Sequence, residues 1–133
     1  MDPAETRTLL LRQHAELREL LAAVQTLVHW FAGGAPVRAT LEARLGDLRV
    51  AFLEHNHSEE AALGPALLSA PDDWGPARVA RMLEEHRAEH RLMAEFLTRP
   101  IEEIVPEFGD FAEELEAHMA AEERTFLSVA VLR

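Results

Sequence analysis

Histidine stands on each of four apolar helical stripes, at a position that leucine would normally take. Proline and glycine clusters punctuate the chain at AGGAP (32–36), SAPDDWGP (69–76) and RPIEEIVPEFG (99–109). Between them apolar residues recur every three or four positions, the spacing of one helix face. Leu10, Leu17, Leu21, Val24 and Val28 form the first stripe, and His14 falls between its first two members. Leu41, Leu45, Leu48 and Phe52 form the second, which His55 and Glu59 continue. The third joins Val79, Met82, Leu83 and Met93 and carries His86 and His90; the fourth joins Phe108, Phe111, Leu115, Phe126 and Val129 and carries His118 and Glu122.

No segment alternates with a two-residue period between turn signals, so no sheet is expected. Four helices with short connections predict an all-α, antiparallel up-down-up-down four-helix bundle, a single domain over residues 1–133. Asp2-Pro3-Ala4-Glu5 suits a capped start for the first helix. The third is expected to open near Asp73 or Pro76, and the fourth near Pro106. Each half also places an early histidine helix before a helix carrying His-x-x-x-Glu-Glu, a weak internal repeat that suits a pseudo-twofold bundle.

Five histidines and two glutamates thus point into the expected core: His14, His55, Glu59, His86, His90, His118 and Glu122. Any one such histidine alone is more often a core residue bonded to a backbone carbonyl. Burying seven ionisable groups without partners would cost several kcal/mol each, on the order of 2–7, and a shared metal removes that cost. The chain has no cysteine, no tyrosine and no lysine, so thiolate ligation, a cysteine nucleophile and a phenolic acid are excluded. Zinc would want a closed tetrahedron of four ligands. Five imidazoles, two bridging carboxylates and one bridging oxide or hydroxide instead fill all but one position of two six-coordinate ions. A dinuclear iron centre with one vacancy fits that inventory.

Helical phase sorts the remaining candidates. In HNHSEE (55–60), His55 and Glu59 lie about 40° apart on the helix, whereas His57 is turned by roughly 160° from His55 and Glu60 by about 100° from Glu59. His57 and Glu60 are therefore expected in solvent. His29 lies about 22 Å along the helix from His14, out of reach, and belongs with Trp30 and Phe31 to an apolar helix end that caps the bundle or mediates weak self-association.

In combination, RQHAEL, HNHSEE…GPAL, EEHRAEH and HMAAEE resemble the hemerythrin-like (HHE) domain family of the bacterial single-domain type, across almost the whole chain. The resemblance implies a non-haem di-iron centre inside a four-helix bundle, with His14, His55, His86, His90 and His118 as nitrogen ligands. Two histidines on the third helix match the family's oxygen carriers. Those carriers end in His-x-x-x-x-Asp, however, whereas here Glu122 stands at +4 and Glu123 at +5. The stripe favours Glu122 as the ligand, since Glu123 is rotated about 100° away.

Three functions compete. The first is reversible binding of dioxygen, or another diatomic such as nitric oxide, for carriage, storage or sensing. The second is a di-iron enzyme that reduces peroxide or nitric oxide or oxidises a substrate, and the third is iron holding or iron sensing. An imidazole-rich donor set stabilises high-valent iron poorly, and the expected lining (Leu10, Leu17, Phe52, Met82, Met93, Leu115, Met119) leaves little room for an organic substrate. Both points favour diatomic binding over catalysis. A net charge of −11 argues against nucleic acid and anionic membranes. The charged N-terminus resembles no signal peptide. The uncharged stretch 20–37 is interrupted by Gln25, Thr26, His29, a Gly-Gly pair and Pro36, so no membrane span is expected. A cytoplasmic monomer or weak homo-oligomer is the resulting expectation.

Overall fold

The computed structural model describes residues 2–69 and 74–132. The described residues are helical, with no strand among them, and four long helices form the bundle: α1 (Pro3–Ala32), α2 (Arg38–Ser58), α4 (Pro76–Phe96) and α5 (Ile101–Arg124). A π-helical turn (Glu59–Leu63) and the short α3 (Gly64–Leu68) extend α2. The first helix starts as its sequence predicts. The Asp2 carboxylate accepts from the Glu5 amide, the Glu5 side chain accepts from the Asp2 amide, and Pro3 occupies the first turn. It ends at Gly33, and Gly34, at φ +92°, makes the reversal that a side chain would resist.

Cross-helix pairs fix how the elements meet. Arg7 near the start of α1 reaches the Leu127 carbonyl beyond α5, and Arg18 bonds Glu116. Phe96 at the end of α4 stacks on Phe111 in the first half of α5, while His86, midway along α4, faces Phe126 beyond the end of α5. Arg38 at the start of α2 pairs with Glu102 at the start of α5.

Two apolar clusters result. The larger one runs along the bundle through Leu17, Val24, Leu41, Leu48, Phe52, Ile104, Phe108, Leu115 and Met119. The smaller joins Leu10, Leu63, Leu67, Val79, Phe126, Leu127 and Leu132 around the π turn, α3 and the chain beyond α5. The inward histidines lie where these two clusters meet.

Two boundaries differ from expectation. Helix α5 opens at Ile101, not near Pro106. Pro100 precedes it with extended ψ, and Pro106 sits inside the helix on its exposed face. There the bond that proline cannot give is left to solvent. Helix α5 also stops at Arg124, so Phe126 and Val129 are not on its stripe. Thr125 leaves helical geometry, Phe126 turns back into the smaller cluster and Val129 is exposed. Helix α4, by contrast, opens at Pro76 behind Gly75, one of the two starts the sequence offers; the other, Asp73, lies outside the described residues.

Candidate metal centre

The seven inward residues of the sequence stripes come together at one level of the bundle. His14 is on α1, His55 on the last turn of α2, Glu59 at the start of the π turn, His86 and His90 on α4, and His118 and Glu122 on α5. His14, His55, Glu59, His90 and Glu122 are buried; His86 and His118 are mostly covered. The π turn sits where Glu59 enters the site and directly precedes Pro65, which cannot supply the amide that a regular α-helix needs there. By taking a wider turn, the chain keeps Glu59 inward and lays Leu63, Ala66 and Leu67 against the smaller core. Gly64 allows that close approach, because a Cβ there would meet Leu83 Cδ1 at 3.1 Å.

The carboxylates divide the histidines into two sets. Glu122 places Oε1 2.9 Å from His14 Nε2, and Oε2 3.0 Å from His86 Nε2 and 2.9 Å from His118 Nε2. Glu59 places Oε1 3.6 Å from His55 Nε2 and Oε2 3.4 Å from His90 Nε2. Glu122 thus divides its oxygens between His14 on one side and His86 and His118 on the other, and Glu59 divides its own between His55 and His90. Potential ligand atoms of His14, His55, Glu59 and Glu122 lie within 4.8 Å of one another, as do those of His86, His118 and Glu122.

Apart from the Nε2 atoms of His90 and His118, which pair at 3.2 Å, these atoms approach closely without bonding to each other. Nε2 of His14, His55 and His86 and both oxygens of Glu59 and of Glu122 are buried, and none takes part in a properly directed hydrogen bond. Leaving a buried polar atom unpaired costs about 1–3 kcal/mol, so so many aimed into one space fit a cation that accepts their lone pairs. The charge pattern agrees. Burial opposes ionisation of Glu122, but His118, His14 and His86 outweigh it and hold this carboxyl far below its usual range. Burial also lowers the His86 imidazole, yet Glu122 and Glu59 overcome that and push it up to about 9. For His90, burial and the neighbouring His118 act together and bring it down to about 3. Burial raises Glu59. Without a cation, the centre must hold protons in place of metal.

The outward nitrogens are braced as well. His14 Nδ1–H donates to Glu123 Oε2 (2.8 Å), His55 Nδ1–H to Gln13 Oε1 (2.9 Å) and His86 Nδ1–H to the Met82 carbonyl (2.9 Å), while His118 Nδ1 lies 3.0 Å from Glu89 Oε2 as an ion pair. Each of the three hydrogen bonds, to His14, His55 and His86, fixes the tautomer whose bare Nε2 faces the centre. His90 is the exception: its Nδ1 is buried without a partner, as is Asn56 Oδ1.

Compared with known proteins, residues 6–130 match the family described as hemerythrin HHE cation binding domain. The chain belongs to that family. No curated protein and no solved structure matches it. Within this HHE domain, His57 and Glu60 are exposed, as helical phase predicts, and Glu60 has only Arg87 beside it at 3.6 Å. His29 is exposed at the far end of α1; Phe31 packs on the larger core while Trp30 is half exposed. Of the expected lining, Leu10, Leu17, Phe52, Met93, Leu115 and Met119 are buried and Met82 is half buried. Among the described residues no helix is long and apolar enough to cross a membrane.

The stripes missed the outer partners. Gln13, Glu89 and Glu123 each stand one position off an inward residue and serve a ligand on a neighbouring helix: Gln13 beside His14 serves His55, Glu89 beside His90 serves His118, and Glu123 beside Glu122 serves His14. Periodicity within one helix carries no trace of such cross-bracing. Its sole visible sign is a polar residue flanking each inward one.

Proposed function

We propose that this HHE domain is a non-haem di-iron protein that reversibly binds dioxygen, or another diatomic such as nitric oxide. It would act as one domain over residues 1–133, an antiparallel up-down-up-down bundle, cytoplasmic, and without nucleic-acid or membrane partners. The pairing of Arg7 with the chain after α5, Arg18 with Glu116 and Phe96 with Phe111 supports alternating helix directions.

The observation that carries the reading is the split of each carboxylate between two histidine sets. Glu59 and Glu122 would bridge two iron ions, with His86, His90 and His118 on one and His14 and His55 on the other. The side with only His14 and His55 has fewer nitrogen donors than the side with His86, His90 and His118, so the ion held there would be the one able to take a diatomic ligand. When bound, the di-iron pair would supply reversible ligation of a diatomic at that position. The chain itself orients the donors and excludes water: His14 lies between fully buried Leu10 and Leu17, with Leu63 and Met119 also fully buried. A dry, apolar pocket suits a small neutral ligand and slows proton entry, which favours reversible binding over turnover.

Anaerobic loading with ferrous iron, followed by air, tests this. A visible charge-transfer band that persists and disappears when oxygen is removed is expected. Immediate oxidation without a lasting band, with turnover of peroxide or nitric oxide once a reductant is supplied, would replace ligand binding by the enzyme reading.

A further inference from the structure

We infer that Glu123, clamped by Arg18, is a positioning residue for the metal centre: it fixes the ring of His14 and strengthens that ring as a donor to the cation it shares with His55. The inference rests on reading the cluster as a metal centre and goes beyond it, since Glu123 touches no inward atom.

The four outer bonds to histidine are not alike. His55 leans on a neutral amide and His86 on a backbone carbonyl. His118 leans on Glu89, a carboxylate that is itself exposed. Only His14, among these, has a carboxylate that is largely covered and held by a cation. Arg18 donates to both oxygens of Glu123, through NH1 to Oε2 at 2.8 Å and NH2 to Oε1 at 3.0 Å. The Nε edge of the same guanidinium is bound by Glu116 at 2.9 and 3.1 Å. A planar fork held on two edges has little freedom, so it fixes where Glu123 points.

The internal repeat offers a control inside the molecule. His-x-x-x-Glu-Glu occurs at 55–60 and at 118–123, and the two final glutamates have diverged. Glu60 is exposed and only loosely paired, while Glu123 lies under Arg18 and meets a histidine. The +5 position has thus become the outer support of a ligand on another helix, one bond back from the centre. An ionised acceptor on Nδ1–H makes Nε2 more basic and a stronger donor. Here that extra electron supply reaches the two-histidine side, where the open position is proposed.

The test uses the full chain loaded with ferrous iron, comparing the wild type with Glu123→Gln and Arg18→Gln. Glutamine keeps a hydrogen-bond acceptor but removes the charge. Glu123→Gln is expected to hold two irons still, with ferrous affinity in chelator competition lowered about 10–100-fold and the midpoint potential raised. Arg18→Gln should move both in the same direction by less, and it keeps the question answerable should Glu123→Gln fold poorly. In the zinc-loaded protein, the His14 ring N–H resonance should move upfield in Glu123→Gln, which a merely structural role would not cause. Two irons with unchanged affinity, potential and resonance would overturn the role of Glu123 and leave the metal centre intact. Loss of one iron in Glu123→Gln, with two retained in Glu122→Gln, would make Glu123 a ligand and overturn it differently. A wild type that binds fewer than two irons would overturn the di-iron reading, and this inference with it.

Discussion

The two ends of the bundle are built on different principles. At one end, where α1 turns into α2 and α4 into α5, the interior is Leu27, Leu41, Leu45, Ile104 and Phe108, the helices are regular and the connections are short. At the other, histidines and glutamates displace leucine, α2 widens into a π turn that α3 continues, and the chain beyond α5 packs into the smaller cluster. The first end gains its stability from apolar burial and is complete by itself. The second buries ionisable groups most of whose inward atoms do not satisfy one another, so its stability depends on what those groups hold.

The largest effect expected from this contrast is at the apolar end. Phe108 is fully buried there, and Phe108→Ala should cost about 3–5 kcal/mol in denaturant unfolding, equally with and without metal. A cost that depended on metal would show that the two ends are not separable.

Metal should act at the other end. At a free concentration about a thousand times Kd, loading should add about 4 kcal/mol of stability. In hydrogen exchange the added protection should concentrate around the ligands, in residues 10–18, 55–68, 82–94 and 115–127. Protection spread evenly along α1 and α5 would contradict a local origin.

Without metal, the polar end should also carry its own pH dependence. His86 is raised to about 9 in the folded chain, so the folded state binds more protons than the unfolded state between pH 6.5 and 9. Its contribution, about 3 kcal/mol at most, is therefore complete below pH 6.5 and lost as pH rises through 9. His90, lowered to about 3, and Glu122, lowered far below its usual range, act oppositely, and stability falls as pH drops below 6.5. Thermal melts of the apo protein should show greatest stability near pH 6.5, and iron loading should flatten the alkaline side. A profile unchanged by metal would mean that these groups are not the ones holding it.

The smallest effect belongs to a histidine outside both ends. His57 is exposed beside the site, and His57→Ala should change stability by less than about 0.5 kcal/mol and leave iron stoichiometry unchanged in a colorimetric assay.

How much of this was legible beforehand follows the same division. Ligand candidates were readable because each replaces a leucine on a stripe, so helical period alone turns it inward; His57 and Glu60 were sorted outward by the same rule. Helix ends were less readable. Pro106 looks like a start signal, but a proline on an exposed helix face loses only a solvent-facing bond, and apolar Ile101 and Ile104 carry the helix further back. Phe126 keeps the spacing of the α5 stripe although Thr125 has already left the helix. The π turn and the bonds from His14, His55 and His118 to Glu123, Gln13 and Glu89 could not be read, because they arise only when helices meet.

The most direct test of the divided site is the Mössbauer spectrum of the protein saturated anaerobically with ferrous ⁵⁷Fe, with iron and protein counted on the same sample. Two irons per chain are expected, in two quadrupole doublets of equal area, because three imidazoles face one position and two face the other. A single iron per chain, or two irons in one indistinguishable environment, would contradict it.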